Sequence, residues 1–220
     1  KSGLANECMS FARKGYVVAS INYRVGWTYV SDINMRFPNC AAGGDMSAFK
    51  KATYRATQDA HAAIRFLAHN ANTYGIDPNW VFVGGGSAGA FTSILLSYMQ
   101  IPEWSTYLTF PVYTSLGDLR TSGNNFTNTF TIRGIFDNCG AIFDTAFINP
   151  SENIPLIGFH GDADPIVPID SNKMMGCSGY ISICGSRAIH YKMAALGICT
   201  ELNVLHGGGH SPYTSTSAEV

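Results

Sequence analysis

Apolar positions follow two rhythms along the chain, short runs rich in β-branched and aromatic residues and longer stretches with a 3.6-residue repeat, and the two alternate. Leu4 to Lys14 predicts a helix closed by Gly15, a residue suited to the left-handed C-terminal position. Tyr16 to Tyr23 (Tyr-Val-Val-Ala-Ser-Ile-Asn-Tyr) predicts a buried strand. A long polar loop follows, from about Arg24 to Asp45. Ala60, Ala63, Ile64, Leu67, Ala68 and Ala71 then recur at helical spacing, until Gly75 and Pro78 end the pattern. Trp80 to Gly84 predicts a second strand, and a glycine-rich turn leads from it into a helix with Phe91, Ile94, Leu95 and Tyr98 on one face. Ile101 to Thr131 reads as irregular. Ile132 to Phe136 and Pro155 to His160 predict two further strands. Ser186 is placed to cap a helix from Arg187 to Leu196, stopped by Gly197, and Glu201 to Leu205 predicts the last strand. Helices between strands imply right-handed crossovers. The expected fold class is therefore α/β, with a mostly parallel central sheet and helices on both faces.

Composition narrows the class. A chain of 220 residues suffices for one domain with its own core. With 46% apolar residues and a mean hydropathy of +0.05 it is globular rather than disordered. The net charge of −1 and the 13% content of charged residues provide no basic field for phosphate backbones, which argues against a nucleic-acid partner. No apolar run is long enough to span a bilayer. The six cysteines, at 8, 40, 139, 177, 184 and 199, form no C-x-x-C pair and no Cys/His cluster with zinc spacing, so no metal centre is expected. Their even number, with few lysines and many Ser, Thr, Asn and Gly residues, fits a secreted or periplasmic enzyme carrying disulfides, although buried thiols fit the composition equally well. Cys177 and Cys184 bracket a short loop and are the expected bridge. No signal-peptide pattern is read in residues 1–220, and the sequence opens mid-pattern at Lys1-Ser2-Gly3, so this says little about the full gene product.

The chemistry centres on Gly85-Gly86-Ser87-Ala88-Gly89, a G-x-S-x-G motif between a predicted strand and a predicted helix. A serine on so tight a turn has strained backbone angles, and small residues on either side let the turn close and hold Oγ above the sheet edge. The following helix offers backbone N–H groups where negative charge develops, with Ala88 N–H as the first oxyanion-hole donor. The competing reading is a phosphate-binding turn, since Gly84-x-Gly86-x-x-Gly89 also fits G-x-G-x-x-G. That site would want an acidic residue about 20 positions later, where Thr109, Phe110 and Pro111 stand.

Serine needs a base, and the base an orienting acid. In this strand–turn–helix arrangement the partners follow in the order Ser, acid, His. Asp162 and Asp164 lie just past the strand ending at His160, and His206 and His210 just past the last strand, where open parallel sheets place their sites. Asp162 sits only two residues beyond its strand, and His206 lies close to its own. The three glycines 207–209 give His210 the reach to swing over Ser87. His160 is expected to hydrogen-bond within the strand-end loop.

With these residues the chain resembles the α/β-hydrolase superfamily, in its secreted esterase branches: carboxylesterases, acetyl-xylan and feruloyl esterases, and polyester depolymerases. The resemblance runs from Leu4 onward. Asn22-Tyr23-Arg24 resembles the end of that family's fourth strand, and Tyr74-Gly75-Ile76-Asp77-Pro78 the lead-in to its nucleophile strand. The family's acid is the second carboxylate of His-Gly-x-x-Asp-x-x-Val-Pro, which implies Asp164, and its base closes a Gly-rich segment, which implies His210. The catalytic set implied is Ser87, Asp164 and His210, with no metal or organic cofactor and a small-molecule or polymer-linked ester as substrate. The family also has strands before the Leu4 helix, a His-Gly-Gly-Gly loop supplying a second oxyanion N–H, and a C-terminal helix. None of these lies in residues 1–220, so the chain is expected to be one catalytic domain incomplete at both ends, with the missing N-terminal segment belonging to the same protein or another chain. A serine peptidase of the prolyl-oligopeptidase type uses the same constellation, and a non-catalytic hydrolase-like binding domain shares the fold. Trp104, Tyr107, Phe110 and Tyr113 either line an acyl pocket or pack a long crossover.

Overall fold

Short runs of small and β-branched residues separated by helical segments build a parallel sheet, because each helix returns the chain to the edge from which the next strand starts. The computed structural model describes residues 3–27, 40, 45–108 and 115–210. Its main sheet contains β1 (Val81–Gly86), β2 (Ile132–Asn138), β4 (Leu156–Gly161) and β7 (Thr200–Leu205). These stand in the order β1-β2-β4-β7, and every neighbouring pair is parallel. A small antiparallel sheet of β3 (Ala141–Ile142), β6 (Ser182–Gly185) and β5 (Ser171–Lys173) lies beside it. Its strands of two to four residues carry too little alternation to be read from sequence.

The helices are α1 (Gly3–Arg13), α2 (Met46–His69), α3 (Ala71–Tyr74), α4 (Ala88–Tyr98), α5 (Ile101–Leu108) and α6 (Ser186–Ala195). Gly15, with φ +93°, follows α1 as expected. The second helix begins well before its apolar repeat because Asp45 caps it, accepting a bond from Ser47 N at 2.8 Å. Register places Val83 beside Ile135 and Ile135 beside Leu156 on one face of the main sheet. There they meet Ile94, Leu95 and Tyr98 of α4 and Ile189 and Met193 of α6 in one core. Each such fully buried aliphatic side chain contributes about 1.5–3 kcal/mol. On the opposite face Phe136 packs near Phe159, and Phe11 of α1 lies 6.4 Å from the Phe136 ring.

Four expectations are corrected. Residues 16–23 form no strand: no ladder joins them to another strand among the described residues, and Tyr16 and Val17 are 50% and 54% exposed. A strand exists only where a neighbour accepts its N–H groups, and here the contacts are made by side chains, such as Tyr16 edge-on to Phe82 at 6.0 Å. The region after Ile101 begins with α5 rather than irregular chain, since proline is tolerated in a first helical turn. Its Trp104 is 1% exposed against Tyr54 in the core, and Tyr107 stacks on Phe143; both are packing residues, while Phe110 and Tyr113 lie outside the described residues. The disulfide joins Cys40 to Cys177, and Cys184 is a thiol on β6 that accepts from Ser171 Oγ at 3.2 Å. Finally, α6 starts at Ser186 with Gly185 at its N-cap, so Ser186 does not cap it.

Candidate active site

Three loops at the C-terminal ends of β1, β4 and β7 converge. The first is the turn from β1 into α4. Ser87 holds φ 53° and ψ −117°, a conformation strained for a residue with a side chain. It is locked from both sides: Ser87 N donates to Asn138 O at 2.8 Å, and Phe91 N donates to Ser87 O at 2.9 Å. A Cβ on Gly85 would stand 2.8 Å from the backbone of Gly89, so that position admits only glycine. Ala88 opens α4, and the first amides of a helix have no intrahelical acceptor.

The loops after β4 and β7 are joined backbone to backbone. Asp162 N donates to Leu205 O at 3.2 Å and Ala163 N to Gly208 O at 2.9 Å. A Cβ on Gly161 would fall 2.2 Å from Gly208 O, so the glycine on β4 is what lets the following loop pass this close. Asp164 and His210 are carried on the two joined loops. His210 Nδ1 lies 2.7 Å from Asp164 Oδ2, and His210 Nε2 lies 2.8 Å from Ser87 Oγ. The Asp164 side chain is 0% exposed and that of His210 18%. Burial pushes the Asp164 carboxyl up, but hydrogen bonds from His160, His210 and the Ile166 amide outweigh it and hold the group well below the usual carboxylate range. Asp164 is thus ionised and accepts only, so Nδ1 of His210 carries a proton toward it. In the neutral imidazole this leaves Nε2 with a bare lone pair facing the Ser87 hydroxyl.

The same architecture recurs in solved structures. Thermogutta terrifontis esterase 2 phosphorylated by paraoxon superposes with a TM-score of 0.61 at 19% identity, over 97% of this chain and 68% of that one. Its propionate-bound form gives a TM-score of 0.59 at 19% identity, over 99% and 70%. The family model BD-FAE matches residues 46–142, less than half of the chain. No curated protein matches. These likenesses show an α/β-hydrolase fold.

Within this fold the two carboxylates and two histidines that compete in the sequence sort into two pairs. The inner pair is Asp164 with His210. The outer pair is Asp162 with His206, 2.8 Å apart, in which the His206 side chain is 88% exposed. Asp162 also accepts from Gly207 N at 2.6 Å. His206 and Gly207 together hold its carboxyl below the usual range, which makes it a clasp for the glycine loop. His160 does bond within its own strand-end loop, to Val167 O at 3.0 Å, but it also contacts Ser186 and lies beside Asp164. Asp137, fully buried at the end of β2, escaped the sequence reading altogether. An acidic residue closing an apolar strand was the only signal for it. Among the described residues, Cys139, Asp164 and His210 bring three potential metal-donor atoms within 4.8 Å of one another. Two of the three residues are already bonded to each other. No helix among the described residues is long and apolar enough to cross a membrane.

Proposed function

We propose that the chain hydrolyses carboxylic esters through a covalent acyl-enzyme, with Ser87 as nucleophile, His210 as general base and Asp164 as the acid that orients it. The observation that carries this reading is the unbroken line from Ser87 Oγ to His210 Nε2 at 2.8 Å and from His210 Nδ1 to Asp164 at 2.7 Å. Nε2 takes the hydroxyl proton as Oγ attacks the ester carbonyl carbon. The resulting oxyanion is met by Ala88 N–H at the start of α4. The alcohol leaves with the proton returned from Nε2, and water, deprotonated in turn by His210, releases the acid and restores Ser87. Asp164 keeps its charge throughout and stabilises the imidazolium. The proton moves among Ser87, His210, the leaving alcohol and water, and the backbone N–H of Ala88 meets the developing charge.

The match to BD-FAE and the neighbours named as esterases support ester rather than amide substrates, in small-molecule or polymer-linked form. The neighbour phosphorylated by paraoxon makes an organophosphorus probe the natural test. A fluorescent fluorophosphonate is expected to label the chain at Ser87, located by peptide mass analysis, with p-nitrophenyl acetate hydrolysis lost in step. Labelling that persists in Ser87→Ala, or its absence from a folded wild-type chain, would sink the reading. The Cys40–Cys177 bridge supports a secreted or periplasmic setting, where disulfides persist.

A further inference from the structure

Behind the inner pair runs a second polar row that the hydrolytic steps leave unused. Asp137 on β2, Ser186 at the start of α6 and His160 on β4 are each 0% exposed. Ser186 Oγ lies 2.7 Å from Asp137 Oδ2 and 2.7 Å from His160 Nδ1. On the other side of the ring, His160 Nε2 lies 3.0 Å from Val167 O and 3.2 Å from Asp164 Oδ2. Asp137 is anchored in turn by Gly140 N, which donates to its Oδ1 at 2.7 Å. A Cβ on Gly140 would fall 2.5 Å from that oxygen, so the glycine holds this anchor open.

Counting protons shows what the row does. Val167 O and the ionised Asp164 can only accept, so His160 Nε2 must carry a hydrogen. Ser186 has one hydroxyl proton and two partners at 2.7 Å. If Oγ–H points at Nδ1, then Asp137 must be protonated to bond to Oγ. If Oγ–H points at Asp137, then Nδ1 must be protonated. Either way the Asp137–His160 pair holds one proton between its members, with Ser186 as the bridge, and the tautomer with a bare Nε2 is excluded. Burial pushes the Asp137 carboxyl up, in keeping with a proton kept in the row, against hydrogen bonds from Ser186 and Gly140.

We propose that His160 is a positioning residue for Asp164, and that Asp137 and Ser186 keep its Nε2 an N–H donor. The assignment rests on the Ser87–His210–Asp164 reading. Asp164 Oδ1 accepts from Ile166 N at 2.8 Å and Val167 N at 3.0 Å, and Oδ2 faces His210 and His160. A carboxylate offers about four lone-pair sites, and here all four are met. The carboxylate therefore cannot turn, and His210 is held on the line to Ser87.

The test is steady-state hydrolysis of p-nitrophenyl acetate by the full chain, with thermal melting as the folding control. His160→Ala is expected to lower kcat by about 10- to 100-fold with KM changed by less than about two-fold. Its acid limb in the pH profile of kcat/KM should move to higher pH, because an Asp164 with one donor fewer attracts the His210 proton more strongly. The titratable groups around His160 are Asp137, Asp164, His210 and, further out, Asp170 with its partner Arg187, with Cys139 beside Asp164. His160→Gln, which can still present an N–H to Asp164, should recover most of the lost kcat. Asp137→Asn has the shape of the protonated acid and should be at least about five-fold more active than Asp137→Ala. This second comparison decides the matter if His160→Ala does not fold. A folded His160→Ala with wild-type kcat and an unmoved acid limb would overturn the proposal, as would equal activity of Asp137→Asn and Asp137→Ala. Activity that survives Ser87→Ala would instead remove the triad on which it rests, and is distinguished by fluorophosphonate labelling of the wild type.

Discussion

The main sheet differs between the C-terminal ends of its strands and its β1 flank. At the C-terminal ends of β1, β2, β4 and β7, buried polar groups stand in an unbroken row from Asp137 to Ser87. Beyond the outer side of β1, residues 16–25 lie outside any helix or strand and are largely exposed, with Val25 at 84%, and Phe82 of β1 itself is 51% exposed. Both regions are rich in residues suited to their roles. The difference lies in partners: the polar groups of the first meet one another, whereas the second has strand-forming side chains and no paired strand among the described residues. Propensity alone does not make a strand; a hydrogen-bonded neighbour does.

The contrast is tested first inside the polar row. Asp164→Asn is expected to lower kcat by about 10⁴-fold, the scale for losing the orienting acid. Asp162→Asn, in the exposed outer pair, should cost less than about three-fold. Equal losses in the two variants would erase the distinction between the pairs.

The flank has one covalent tie nearby. Trp27, at its end, lies edge-on to Tyr180 at 6.3 Å, and Cys177 close to Tyr180 in sequence is bridged to Cys40 across a separation of 137 residues. A cross-link of that span restricts the unfolded chain, so Cys40→Ser with Cys177→Ser should lose about 4 kcal/mol in urea unfolding. Gly161→Ala probes the joined loops. The added Cβ must push the Gly208 backbone, and a shift of about 1 Å between His210 and Ser87 is expected to lower kcat by about 10²-fold.

Two carboxylates, Asp164 and the half-buried Glu152, show the same rule of partners by their charge. Asp164, with every oxygen bonded, is held low, whereas burial pushes Glu152 up to about 7, against a bond from Gln100, and its Oε2 has no hydrogen-bond partner. A carboxyl raised from 4.5 in this way costs nothing while protonated in both states, and its penalty grows as pH rises from 4.5 to about 7. Glu152→Gln should therefore stabilise the fold by about 1 kcal/mol at pH 8, after discounting for partial solvent access, and by nothing at pH 4. Melting curves across that range check it. Val25→Ser on the open flank is expected to change stability by less than about 0.5 kcal/mol in the same measurement.

The motif around Ser87 and the order serine, acid, histidine could be read from the amino acids because they depend on local chemistry. A G-x-S-x-G turn needs small residues at fixed spacing, and glycines before His210 give a loop its reach. The helices α2 and α4 were legible for a similar reason, since a 3.6-residue repeat records one buried face, and α6 was legible from its stop at Gly197. Three things required neighbours distant in sequence. The segment 16–23 had the composition of a strand, but pairing is a property of two segments and not of one. The cysteine bridge joined positions 137 apart rather than the two flanking a loop. Which carboxylate meets which histidine, and the contacts among Asp137, Ser186 and His160, turned on gaps of about 3 Å between groups from different strands, loops and α6. Hydrogen bonds act only at such range, and no pattern along one strand or helix records which atoms from another will arrive within it.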